Sequence, residues 1–246
     1  RYCGGAAGGS KRSASPTAPL LPAIGREPLK NGLRNLHAQF SKAPELGSLI
    51  DPTELPGDLI AADYETMLPF LADVMAEEAK GDSESFERAV AAQGMAKAAE
   101  ILAGEYTLVI TNVPYLGRKS HTDLLKAWAD TNEKEAKNDL ATMFVSRMLR
   151  WVGRDDNAGS IAVVTPQNWL FLTSYRKFRE RLLKDRTWNL VARLGPGAFE
   201  TIGGHVVNVA LVMLSGGRSA KETPHSMAGV DVAAARSAAE KAALLR

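Results

Sequence analysis

The chain has 246 residues, 45% hydrophobic and 24% charged, with a formal net charge of +2. This is the composition of a soluble globular protein of one large domain or one and a half ordinary ones, and its weak charge excludes a basic footprint spread over the whole surface. Cys3 is the only cysteine, so neither a disulfide framework nor a four-cysteine zinc site can form within the chain, and a reducing cytoplasm is the expected location.

No run reaches the ~18 apolar residues needed to span a bilayer, so no membrane is expected. Residues 1–25 lack the apolar core of a signal peptide. The chain opens on Arg1 and closes inside an Ala-rich helical pattern, Val232 to Arg246. A piece of a longer polypeptide is therefore expected.

Residues 1–30 are rich in Gly, Ser, Ala and Pro and read as loop or disordered. Residues 31–105 read as a mainly helical segment, with helices predicted over Leu33–Phe40, Asp63–Ala79 and Ser85–Leu102. In the last of these, Phe86, Val90, Met95, Ala98 and Leu102 make a predicted buried stripe.

Residues 106–216 alternate between strand and helix. Tyr106–Thr111 is β-branched and aromatic and follows Gly104, so it reads as a buried strand. A helix follows over Asn138–Val152, with Leu140, Phe144, Met148 and Trp151 at helical spacing. Ser160–Thr165 is a second strand. Ser174 is placed to cap a helix running to about Leu183, with Tyr175, Phe178 and Leu182 inward. Arg176, Lys177, Arg179, Arg181, Lys184 and Arg186 then read as its solvated face in preference to a phosphate-binding patch. Strands Trp188–Leu194 and Val206–Leu214 have no helix between them and are expected to pair as an antiparallel hairpin. Residues 217–246 read as linker and truncated helix. The order predicts an α/β fold, half of a doubly wound sheet with an antiparallel edge.

The most informative stretch is Thr111-Asn112-Val113-Pro114-Tyr115, directly after the first strand. In open α/β sheets the carboxyl ends of the strands are where ligands bind. An amide oxygen and a backbone carbonyl can accept both hydrogens of an –NH2 group, and a tyrosine face can stack on the ring that carries it. Pro114 biases Val113 toward an extended conformation, which helps aim its carbonyl.

Asn112-Val113-Pro114-Tyr115 resembles the Asn-Pro-Pro-Tyr motif of amino-methyltransferases that use S-adenosylmethionine. The surroundings extend the likeness: Leu116-Gly117-Arg118-Lys119, then Val163 to Leu172, Tyr175 to Arg179, and Leu194 to Val212 with its Gly-Pro-Gly-Ala-Phe-Glu and Gly-Gly-His. In this order they look like the catalytic half of adenine-specific DNA methyltransferases of the type II restriction-modification and BREX phage-defence kinds. The resemblance spans about Tyr106 to Ser215.

It implies the C-terminal half of a Rossmann-like methyltransferase sheet, S-adenosylmethionine as cofactor and DNA as partner. It implies that the Asn112 side-chain oxygen and the Val113 carbonyl receive the adenine amine, and that Tyr115 stacks on the base. Phe199 is implied to cover the base from another side. Gln167 and Asn168, at the same sheet edge, are candidate pocket residues, and Arg118 and Lys119 are candidate phosphate contacts. Valine at position 113 departs from the motif's first proline but keeps the carbonyl.

A cofactor loop is not legible. Gly4 to Gly9 follows no strand, and Gly195-Pro196-Gly197 precedes no helix. The cofactor pocket is therefore expected in an upstream half of the same polypeptide. His37, His121, His205 and His225 lack metal-ligand spacing. Two alternatives stay open: a protein-glutamine or RNA amino-methyltransferase, and a non-catalytic DNA-binding fragment.

Overall fold

The computed structural model describes residues 35, 38–54, 83–153, 159–199, 207–217 and 226–246. The 1–30 segment, the Asp63–Ala79 helix, all but the last residues of the Leu33–Phe40 helix, and His37, His205 and His225 lie outside the described residues.

A five-stranded sheet organises the rest, in the spatial order β1-β2-β4-β3-β5. Its strands are β1 (Leu108–Asn112), β2 (Ser160–Pro166), β3 (Thr187–Gly195), β4 (Val209–Ser215) and β5 (Ala228–Asp231). β1 pairs parallel to β2, and β3 pairs parallel to β5. β4 alone runs the other way, antiparallel to both β2 and β3. The expected hairpin is therefore present, as is the mixed α/β class. The stretch expected as linker and helix also contributes β5, which pairs outside β3 and moves the antiparallel strand inward. β5 is only four residues long and mostly exposed, so it gives no run of alternating apolar residues to read.

The strand expected to be buried is instead an edge strand. Among the described residues β1 pairs only with β2, and Ile110 is 69% exposed and Leu108 54%. Successive side chains of a strand point to opposite faces. Leu108, Ile110 and Asn112 thus share one face, while Val109 faces the core.

The helices, in chain order, are α1 (Ala43–Leu46), α2 (Ser83–Ala103), α3 (Asp123–Asn132), α4 (Leu140–Trp151), α5 (Arg176–Asp185) and α6 (Ala238–Leu244). α4 packs on β2 and α5 on β3. Ile161, Val163, Val212 and Leu214 from the sheet meet Met143, Val145, Met148, Phe178 and Leu182 from these helices in one core. Trp169 lies within it at 1% exposure, edge-on to Phe178. The described helices include none long and apolar enough to cross a membrane.

Several local expectations shift. Tyr175, Phe178 and Leu182 are buried as expected, but Ser174 caps nothing. It sits in a 3-10 turn, Thr173–Tyr175, that feeds α5 directly. α2 forms, yet among its described side chains Val90 is 50% exposed and Ala99 is fully buried. In α4 the fully buried positions include Ala141, Met143, Val145 and Met148, while Leu140, Phe144 and Trp151 pack at its margin.

The basic run is a mixture. Arg176 pairs with Glu180 along the exposed face of α5, while Arg179 donates to the Trp169 and Leu172 carbonyls. Arg186 is buried, donating to the carbonyls of Gly153, Gly216 and Leu149.

A buried ionic group ties the helical segment to α4. The Arg147 guanidinium, 2% exposed, meets the Asp51 carboxylate and the carbonyls of Ile50 (2.9 Å) and Leu102 (2.6 Å). Arg150 bridges Asp51 (3.2 Å) to Glu133 (2.7 Å). Gly159 leads into β2 so close to β1 that an added Cβ would lie 2.3 Å from the Tyr106 carbonyl oxygen. Only glycine permits that approach.

Candidate active site at the carboxyl end of the edge strand

β1, β2, β3 and β5 run in the same direction, so their carboxyl ends meet at one edge of the sheet. Asn112 closes β1 there and is exposed. Val113 turns inward at 3% exposure and anchors the start of the loop in the main core. Pro114 is exposed, and Tyr115 is half-buried. The Tyr115 hydroxyl donates to Asn112 Oδ1 at 2.9 Å. The amide oxygen and the aromatic ring are therefore adjacent.

The loop after Tyr115 is pinned on its far side. Leu140 N donates to the Leu116 carbonyl and Arg118 N to the Asn138 carbonyl, both at 2.9 Å. The ring of His121, buried, also bonds the Leu116 carbonyl at 2.8 Å. Asp139 caps α4 by accepting from Ala141 N at 2.8 Å. Burial, and then the Asp139 carboxylate, push the Tyr115 phenol up to about 12. The same two causes push Tyr175 up to about 12. Tyr115 thus stays protonated and remains a donor at any neutral pH.

Phe199 packs in the same small apolar cluster as Tyr115, with Leu194, Val209 and Val232 at its centre. Gln167 is 7% exposed, its side-chain oxygen accepting from Arg193 Nε at 3.3 Å. Arg193 in turn pairs with Asp231 at 3.0 Å. Asn168 is exposed, and its backbone carbonyl receives Phe171 N and Leu172 N. Arg118 is held by both oxygens of Asp130, at 3.0 and 2.8 Å. Lys119 is exposed beside it. The structure thus brings Asn112 and Tyr115 into contact and packs Phe199 on the same apolar cluster as Tyr115. It sets Gln167 into a polar string of its own and gives Arg118 a carboxylate partner.

Sequence reasoning missed three neighbours. Asp139 carries a legible signal, an acidic residue just before a helical apolar pattern. Arg193 and Asp231 carry none, because their pairing depends on β5.

The glycine turn after β3 is filled by the chain itself. Gly195 and Gly197 have φ of +67° and +70°. A Cβ at Gly195 would lie 2.7 Å from that of Ala233, and one at Gly197 would lie 3.0 Å from the Arg236 carbonyl. These glycines admit the segment after β5, not a ligand. The described residues include no cluster of His, Cys, Asp and Glu that could hold a metal.

A mixed sheet whose edge strand ends in an exposed amide beside an aromatic ring defines an α/β domain with a hydrogen-bond acceptor and an aromatic side chain at its carboxyl edge. The chain belongs to the Eco57I restriction-modification methylase family, whose sequence profile matches residues 58–198. Adenine-specific methyltransferase BrxX of Escherichia coli O9:H4 (strain HS) is 32% identical over 182 residues, 74% of this chain and 14% of that protein. Adenine-specific methyltransferase PglX of Lacticaseibacillus casei (strain Zhang) is 31% identical over 117 residues, 47% of this chain and 9% of that protein. The chain thus spans only 14% and 9% of the length of these curated relatives. Among solved structures, a nuclease-deletion mutant of the Type ISP restriction-modification enzyme LlaGI, in complex with a DNA substrate mimic, aligns with a TM-score of 0.45. That alignment has 17% identity and covers 69% of this chain and 18% of that one.

Proposed function

We propose that this chain is the base-handling part of an adenine-N6 DNA methyltransferase acting in the cytoplasm, in restriction-modification or phage defence. The observation that carries the reading is the contact of Tyr115 with Asn112 Oδ1 at the exposed carboxyl end of β1. The family and the two adenine-specific relatives support the choice of adenine in DNA.

The chemistry follows from the residues. The adenine amine is a poor nucleophile because its lone pair is delocalised into the ring. In a duplex it is also out of reach, so the base is extruded at a cost of ~a few kcal/mol. Asn112 Oδ1 and the Val113 carbonyl accept the two amine hydrogens and favour a pyramidal nitrogen with its lone pair free. Acceptors fixed in advance stabilise the positive charge that develops on that nitrogen. Tyr115 stacks on the base, a contact typically worth ~1–3 kcal/mol. Phe199 covers it from another side. Gln167 and Asn168 border the pocket, and Lys119 and Arg118 meet phosphate, Arg118 by exchanging Asp130 for the DNA backbone.

S-adenosylmethionine supplies the methyl group. Its pocket belongs to an upstream part of the same polypeptide, which also covers the Ile110 face and the edge of β1 that no described residue pairs. Two observations support this division: the exposure of Ile110 and Leu108, and the small share of each relative that this chain spans.

The test uses the full-length polypeptide with labelled S-adenosylmethionine and separate DNA, RNA and protein pools. Label is expected in DNA adenine, and Asn112→Ala is expected to cut the rate about 100-fold or more, the scale of losing a preorganised acceptor. Label confined to RNA or protein removes DNA as substrate. An unaltered rate in Asn112→Ala removes Asn112 from the site.

A further inference from the structure

Tyr115 has two separable parts. Its ring is half-buried and packs against the apolar clusters, and its hydroxyl lies at the ring edge, where it donates to Asn112 Oδ1 at 2.9 Å. We propose that the hydroxyl is a positioning group, distinct from the stacking ring, that holds the Asn112 carboxamide with its oxygen turned toward the incoming amine. The inference rests on the adenine-methylating reading above and deepens it.

An asparagine amide rotates in a broad, nearly two-fold well, so oxygen and nitrogen exchange places at little cost. The wrong orientation would present an NH2 donor to another NH2 donor and repel the substrate. A phenol hydroxyl donates more readily than it accepts, so one fixed beside Asn112 favours the orientation that presents the oxygen. An amide oxygen has two lone pairs, so accepting from Tyr115 leaves one for the adenine amine. The neighbourhood keeps the donor in place. The Leu140–Leu116 bond, and Tyr115's own packing against the apolar core, fix the ring. Burial and the Asp139 carboxylate keep the phenol protonated.

Tyr115→Phe in the full-length polypeptide keeps the ring and removes the hydroxyl. Freed of its guide, the amide samples both orientations, and kcat for adenine methylation falls about three- to tenfold, the usual range for one hydrogen bond. KM for DNA stays within about twofold, because stacking is retained. Fluorescence of a duplex with 2-aminopurine in place of the methylated adenine, which reports base extrusion, is unchanged in Tyr115→Phe and reduced in Tyr115→Ala.

The ratio of wild-type to Tyr115→Phe rates is the same at every pH from about 6 to about 9.5, since the hydroxyl does not titrate there. A Tyr115→Phe kcat equal to or above wild type, a loss confined to KM, or a ratio that varies with pH overturns the proposal while leaving the methyltransferase reading standing. A wild-type polypeptide that transfers no methyl group to adenine overturns both.

Discussion

Arg147→Met tests whether the helical segment around residues 43–54 is held by one buried guanidinium. Methionine keeps the unbranched stem but removes every donor. Asp51 then loses its closest cationic partner and keeps Arg150 at 3.2 Å and the Thr53 hydroxyl at 2.6 Å. The carbonyls of Ile50 and Leu102 lose donors at 2.9 and 2.6 Å. Breaking a buried ion pair by deleting one partner costs ~3–5 kcal/mol, because the survivor stays desolvated. Arg150 partly compensates, so the lower end, about 3 kcal/mol, applies. At about 1.4 kcal/mol per tenfold, this speeds local opening by roughly two orders of magnitude. Hydrogen exchange followed by mass spectrometry on the full-length polypeptide reads this directly. Peptides covering Leu46 and Ile50, both 4% exposed, should exchange about 100-fold faster, and those covering β2 and β4 should not change. Unaltered exchange at 43–54 would refute the reasoning. Equal acceleration in β2 and β4 would show that the loss is spread through the fold instead of released at this tie.

Asp139→Asn should lower the phenol pKa of both Tyr115 and Tyr175 from about 12, because it removes the shared carboxylate while asparagine still caps α4. Since burial is the larger cause, both should stay above the usual phenol value; tyrosinate absorbance in difference titrations against the corresponding Phe variants checks this. The linked stability has a definite sign. A folded phenol titrating above its unfolded value near 10 contributes fully below about pH 10, and the contribution is lost as pH rises toward 12. Gly195→Ala should destabilise the β3–β5 corner by about 1–3 kcal/mol, combining a strained φ with a Cβ driven into Ala233. Faster exchange in residues 228–244 with unchanged exchange in α4 checks it.

Much of the fold was legible because the responsible residues are local. β-branched runs mark β2, β3 and β4, and helical spacing marks α4 and α5. The interior positions of α5 were legible for the same reason. The order along the chain also gave the antiparallel pair, since no helix separates its strands. What failed was non-local. β1 has the apolar content of a covered strand, and sequence cannot say whether the cover lies in the same hundred residues. Ser174 matches a cap by type, but a preceding 3-10 turn shifts the start of α5 beyond its reach. Arg186 and Arg147 are charged residues that pattern reading sends to the surface, yet backbone carbonyls from distant segments hold them inside. At the candidate site the adjacency of Asn112 and Tyr115 was foreseeable from strand direction. The hydroxyl bond was not, because it depends on how α4 and Asp139 pin the following loop.

The carboxyl end of β1 differs from its outer edge and its Ile110 face in how firmly the described residues hold it. At its carboxyl end, the segment after Asn112 is held from within this chain at several points: Val113 by the core, Leu116 by α4 and His121, and Gly117 by a bridge to Asp139. Rigid support is what an acceptor pair needs, because a group that reorganises during reaction loses the gain of being aimed in advance. Along its outer edge and its Ile110 face, the described residues fix nothing. An apolar side chain at 69% exposure, beside an edge that no described residue pairs, is unfavourable to leave in water and a template for further pairing. If a cofactor-holding part adds to that edge, the methyl donor and the amine acceptors are set by one continuous sheet. Their spacing is then governed by strand geometry, and the site needs no flexible loop to bring them together.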